Sequence, residues 1–184
     1  MGDKADSRSI AKRLGLGRAE ADAEVRRLED LGLAKVSHGI AALTPKGRRE
    51  IKVVFIGGGF ELIHFGHVYT IEKAKSLGDA LVVSVARDNT IRRRKNREPL
   101  VKERDRVKLL SSLRDVDAAI LGVEGDIYVT LQKVRPDIVA LGYDQYHMED
   151  EVRKEAWKRG LKLRVVRLDS PYPDIKTSKL LKEF

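Results

Sequence analysis

Two histidines, His64 and His67, follow a run of three glycines, Gly57-Gly58-Gly59, with Phe60, Glu61, Leu62 and Ile63 between them. Glycines let main chain approach a phosphate closely and leave amide donors unhindered. Spaced i, i+3 around Gly66 at the start of a helix, the two imidazoles can face one space beside the positive end of the helix dipole. Two donors there suit the charge that develops on a phosphorus centre and on its leaving oxygens. The same residues also read as a tight turn with two structural histidines, or as part of a metal site. Zinc would need at least a third ligand, which only His147 or carboxylates could supply. The run is neither GxGxxG, since Leu62 stands where the third glycine belongs, nor a P-loop, which would end in GK[ST].

These residues need an element to hold them. Ile51-Lys52-Val53-Val54-Phe55-Ile56 ahead of the glycines is a buried-strand run. Residues 80–85, 118–121, 138–141 and 163–166 supply four more. Helical stretches are expected near 66–77, 102–114, 126–134, 149–159 and 177–183. Five strands with helical crossovers imply an α/β fold, a Rossmann-like five-stranded parallel sheet with helices on both faces. In such a sheet the ligand sits beyond the carboxyl ends of the strands, which is where the glycines and histidines fall.

The first fifty residues have a different texture, and the expected domains are 1–50 and 51–184. A short helix capped by Ser7 or Ser9 carries Ile10 and Leu14; Gly15-Leu16-Gly17 breaks it. A second helix from Arg18 places Ala21, Val25 and Leu28 on one face, and Gly32 stops it. Residues 34–36 and 40–43 flank Ser37-His38-Gly39 as a hairpin, and Thr44-Pro45 begins a last short helix. This order resembles a small winged helix-turn-helix module. Glu20, Asp22 and Glu24 give the presumed recognition helix the wrong sign for DNA, so a scaffold or dimerisation role is favoured over DNA binding.

Composition narrows the classes further. The chain has 184 residues, 42% of them apolar, enough to bury a core, and no cysteine, which excludes disulfides, thiolate metal sites and a cysteine nucleophile. No apolar run is long enough to span a bilayer and residues 1–6 lack a signal-peptide core, so a cytoplasmic setting is expected, without a membrane partner. Only four Asn and Gln (Asn89, Asn96, Gln132, Gln145) accompany 35% charged residues, which points to a thermophilic source. The formal net charge is +9, and Arg87 to Arg106 alone holds nine basic and four acidic side chains. Such a segment is either a solvated face or a flexible basic loop that neutralises phosphates.

Residues 57–67, GGGFELIHFGH, resemble the GxFDxxHxGH signature of the cytidylyltransferase-like nucleotidyltransferases, which share HxGH with class I aminoacyl-tRNA synthetases. The resemblance runs from Ile51 to the C-terminus. It is nearest to the archaeal FAD synthases, themselves similar to glycerol-3-phosphate cytidylyltransferases. It implies in-line attack of a substrate phosphate on a nucleotide α-phosphate with pyrophosphate leaving. ATP and FMN are then the favoured substrates, with Mg²⁺ or a similar cation on the phosphates and no protein metal site; CTP with an alcohol phosphate is the alternative. A DNA-binding regulator that only senses nucleotide is a third reading.

By that resemblance His64 and His67 bind the triphosphate and steady the transition state, beside the amides of Gly58, Gly59 and Phe60. Arg94, Lys95 and Arg97 belong to the basic loop covering the triphosphate, with Lys95 and Arg97 in a catalytic role. Arg106 matches a nucleotide-binding arginine. Gly142 and Asp144 lie near the nucleoside or the acceptor, and Thr177 and Ser178 hold phosphates at a helix N-terminus. Glu61 replaces the usual Asp and orients the loop. Tyr143, Tyr146, Tyr172 and Trp157 are the aromatic candidates for stacking a flavin. Parallel sheets of this kind often dimerise, so a homodimer is a candidate assembly, with no interface identified in the sequence.

Overall fold

A computed structural model describes residues 4–172. The chain divides into two compact units between Ile51 and Lys52, and each has its own sheet. No helix among the described residues is long and apolar enough to cross a membrane.

The first unit comprises β1 (Lys4–Asp6), α1 (Ser7–Leu14), α2 (Arg18–Asp30), β2 (Ala34–Ser37), β3 (Ile40–Leu43) and α3 (Pro45–Arg49). Its antiparallel sheet has the order β1-β3-β2. Asp6, rather than Ser7 or Ser9, caps α1: its extended backbone lets the carboxylate accept from the Ser9 amide at 2.7 Å. Thr44 caps α3 by accepting from the Gly47 amide and donates to the Gly32 carbonyl. Gly47 is required, since a Cβ there would meet the Leu33 carbonyl oxygen at 1.9 Å. β1 has no sequence signal of its own, being three residues whose only support is the ladder to β3.

The second unit runs β4 (Val53–Gly58), α4 (Phe65–Lys75), β5 (Ala80–Val85), α5 (Asp88–Lys95), α6 (Glu103–Ser111), β6 (Ala118–Leu121), α7 (Ile127–Val134), β7 (Ile138–Leu141), α8 (Glu149–Lys158) and β8 (Arg164–Arg167). All five strands are parallel, in the order β6-β5-β4-β7-β8. Alternate residues of one strand feed opposite cores. Val54 and Ile56 of β4, with Ile138 and Ala140 of β7, pack with Ile71 and Ala74 of α4 and Leu110 of α6. Phe55, Val139 and Leu141 pack with Leu131 of α7 and with Val152 and Ala156 of α8. Helices on both faces therefore follow from central strands, β4 and β7, whose apolar residues point to both sides of the sheet.

At the amino ends of the strands, Asp79, Asp137 and Asp117 accept from the amides of Lys52, Val53 and Leu81 at 2.6, 2.8 and 2.7 Å. The carboxyl end of β4 carries the glycine turn.

The structure corrects the reading of the basic run as a loop. Arg92 to Lys95 are not in a loop but form the last turn of α5, which is anchored by a single buried apolar residue, Ile91. Four cations there complement the helix dipole, and Asn96 ends the helix in the left-handed conformation. The helix expected near 177–183 lies outside the described residues.

Candidate active site

The chain lays β5 and β6 on one side of β4, then crosses back to lay β7 and β8 on the other. The crevice of an open sheet opens beyond the strand ends at such a reversal. It is stapled here by Gln145, whose Nε2 donates to the Gly57 carbonyl at 2.7 Å. The loop after β7 and the turn after β4 thus share one mouth.

Backbone conformation shapes the glycine turn. Phe60 has φ +49°, unusual for a bulky side chain, and its ring is buried. A Cβ on Gly58 would lie 2.9 Å from that ring, so the turn closes only with glycine there. The Phe60 ring sits 5.3 Å from that of His67, and the His64 and His67 rings are 3.9 Å apart at 36°. His64 is the N-cap of α4, its carbonyl accepting from the His67 and Val68 amides.

The imidazoles are brought together, and three of their four ring nitrogens have no hydrogen-bond partner among the described residues. Both ring nitrogens of His64 and Nδ1 of His67 are buried without a hydrogen-bond partner among the described residues. Buried polar groups are nearly always satisfied, and the exceptions call for an explanation such as a ligand. Burial pushes His64 below the usual imidazole range, against the opposing charge of Asp144. His67 is pushed down to about 4, first by burial, then by His64 and Lys95, while Asp144 and the Leu62 backbone oppose the shift. Burial thus favours the neutral form of both rings, in which an imidazole has one N–H and one acceptor nitrogen.

Glu61 organises the cations. Its side chain is wholly buried, and it accepts from Lys95 Nζ at 2.5 Å, from Arg97 Nη1 and Nη2 at 2.7 and 2.9 Å, and from the Leu100 amide at 3.2 Å. Burial raises the carboxyl pKa, but the bonds from Arg97, Lys95 and Leu100 outweigh it and hold the group at about 2. Lys95 Nζ lies 3.9 Å from where a Cβ of Gly59 would sit, so this cation is at the glycine turn.

Arg106 takes a different place from the one its resemblance suggested. It is fully buried. Its guanidinium donates to the carbonyls of Val101, Gly59 and Ala86 at 2.9, 2.6 and 2.8 Å and to Asp88 at 2.6 Å. It supports the glycine turn from behind and presents no surface to a nucleotide.

After β7, Arg167 holds the loop in shape. Its guanidinium donates to the carbonyls of Gly142, Gln145 and His147 and pairs with Glu149. Asp144, Tyr146 and His147 border a cavity of about 640 Å³, with Gly57–Gly59, Arg94 and Tyr128 on its other sides. The imidazoles are not in its wall, but the charge of Asp144 reaches both. Of the four aromatic candidates only Tyr146 borders the cavity; Tyr172 packs edge-on against Phe65 and Tyr69, and the Trp157 ring lies under Lys162. Gln145 and Arg167 had no local signal, because each acts on residues distant in the chain. Thr177 and Ser178 lie outside the described residues.

Among the described residues no group of three or more His, Cys, Asp or Glu side chains gathers as a metal cage.

Residues 55–183 match the cytidylyltransferase-like family. Among curated proteins, the FAD synthase of Aciduliprofundum boonei is 48% identical over 115 residues, 62% of this chain and 76% of that protein. The FAD synthase of Thermococcus onnurineus is 42% identical over 137 residues, 73% and 91% of the two chains. Among solved structures, the lipopolysaccharide core biosynthesis protein of Thermoplasma volcanium is 42% identical with a TM-score of 0.63, covering 65% of this chain and 98% of its own.

Proposed function

The chain belongs to the cytidylyltransferase-like family, and from that membership we propose that this nucleotidyltransferase moves AMP from ATP to FMN. A phosphate oxygen of FMN attacks the α-phosphorus in line, the bond from α-phosphorus to the bridging oxygen breaks, and pyrophosphate leaves with FAD formed. The observation that carries the reading is the pair of imidazoles with unspent ring nitrogens beside a glycine turn at the sheet reversal. The similarity to FAD synthases supports ATP as donor and FMN as acceptor.

The protein's part is positioning and charge stabilisation. The amides of Gly58 to Phe60 and an N–H from each of His64 and His67 receive phosphate oxygens. Lys95 and Arg97, aligned by Glu61, neutralise the departing pyrophosphate. Gly142 and Asp144 face the nucleoside or acceptor, and Thr177 and Ser178 are assigned to the phosphates. A divalent cation that enters with ATP has its oxygen ligands chiefly on the triphosphate, as Mg²⁺ usually does. Asp144 is the carboxylate whose charge reaches the imidazoles. When bound, the cation supplies charge neutralisation. We place the reaction in the cytoplasm.

The test is pyrophosphate release over a grid of ATP or CTP with FMN or glycerol 3-phosphate. Turnover confined to ATP with FMN is expected. Turnover of CTP with glycerol 3-phosphate, and none with FMN, overturns the assignment.

We read the first unit as a winged helix with a scaffold or dimerisation role. In its α2, Glu20 is spent on the Gly17 amide, and Glu24 on Arg27. After Arg18, the first turns of that helix carry Glu20, Asp22 and Glu24, which have the wrong sign for the phosphates of a nucleic acid. A gel-shift series at rising salt should show no binding at any ionic strength; binding at low salt would restore the DNA reading.

A further inference from the structure

Of the five cations from Arg92 to Arg97, four are ion-paired: Arg92 with Glu98, Arg93 with Glu124, and Lys95 and Arg97 with Glu61. Arg94 has no carboxylate partner among the described residues. Its guanidinium lies instead 4.6 Å over the ring of Tyr146, which stacks at 4.0 Å on His147. This three-member column borders the cavity beside the glycine turn.

Tyr146 is 61% exposed, yet its backbone is fixed on both sides. Arg167 clamps the carbonyls of Gln145 and His147, and the Gln145 side chain is bonded to Gly57 across the crevice. An aromatic ring held out on a rigid frame binds a flat partner with little loss of conformational freedom. The cavity, at about 640 Å³, is in the range of pockets for sizeable organic ligands and far exceeds what a three-carbon phosphate fills.

We infer that the Arg94–Tyr146–His147 column is the ring-recognition part of the acceptor site, selecting a phosphorylated acceptor with a planar heteroaromatic group. The phosphate of that acceptor lies at the glycine-turn end of the cavity, facing the α-phosphorus from the side opposite Lys95, and its ring packs against the exposed ring of Tyr146. The inference rests on the reading of the protein as an FMN adenylyltransferase.

The experiment titrates FMN fluorescence with wild-type protein, Tyr146→Ala and Tyr146→Phe, alongside steady-state kinetics. A phenyl or phenol ring stacked on a flavin quenches its emission, so quenching by wild type and Tyr146→Phe with similar Kd is expected. Tyr146→Ala should raise the Kd and the KM for FMN about tenfold, the scale of one ring–base stack, with the KM for ATP moving less than twofold. An exposed side chain leaves the fold unchanged, which a thermal melt verifies. Normal FAD synthesis with the same FMN Kd in wild type and Tyr146→Ala sinks the column while leaving the reaction standing. Turnover with some other acceptor and none with FMN overturns both.

Discussion

Glu61 and Lys95 meet at 2.5 Å, the carboxylate wholly buried and the ammonium partly exposed at the glycine turn. The carboxylate stays ionised because Arg97 shares it, and the pair of cations stays placed because the carboxylate cannot move. Glu61→Gln keeps the shape and removes the charge. We expect kcat to fall by about tenfold or more, since misplaced cations stabilise departing charge poorly, with the KM for FMN little changed. Pyrophosphate-release kinetics check this.

Glu61 also carries a pH signature. Its folded pKa of about 2 lies below the ordinary 4.5. Its contribution to stability is therefore present above pH 4.5 and lost as pH falls from there towards 2. Urea unfolding should show wild type more stable than Glu61→Gln at pH 6, with the gap narrowing by pH 3.

His64→Ala and His67→Ala should each lower kcat by about 10² while leaving the fold intact, the scale of removing one preorganised donor to a developing charge. Near-normal rates in both variants would move the chemistry elsewhere. Circular dichroism and single-turnover kinetics separate folding from catalysis.

His67 sets a second pH dependence. Its folded pKa of about 4 is below the ordinary 6.5, so the unfolded chain takes up the proton first. The native state loses stability as pH falls from about 6.5 to about 4, and the loss levels off below that. In His67→Phe this part of the pH dependence should disappear, as measured by urea unfolding at pH 7.5, 5.5 and 4.

Arg106→Met should cost about 3–5 kcal/mol of stability, the scale of stranding one partner of a buried ion pair. Asp88 loses its cation, and the carbonyls of Gly59, Ala86 and Val101 lose their donor. Denaturant melts read this directly, and a raised KM for ATP should accompany it as the glycine turn loosens.

Much of the second unit was legible in sequence because parallel strands buried on both faces read as unbroken apolar runs, as in Val53 to Ile56 and Ile138 to Leu141. Helix α5 was not, because eight residues with a single buried apolar side chain, Ile91, leave no period to detect. The histidine pair and the glycines announced themselves by type and spacing. The Gln145 staple, the Arg167 clamp and the keystone role of Arg106 did not, since each depends on a carbonyl brought near by the fold. Glu61 was legible as a residue that orients the loop, but its two cationic partners, 34 and 36 positions away, were not.

The bond from Gln145 to Gly57 joins positions 88 residues apart. One bank of the crevice is made early in synthesis and the other only when the strand ending at Leu141 has docked. A nascent chain stopped before that point has glycines and histidines but no seam for a ligand to close. Nucleotide bound across the seam stabilises only the fully assembled sheet, by an amount that grows with the logarithm of its concentration. Substrate supply and the survival of the finished enzyme are thereby coupled.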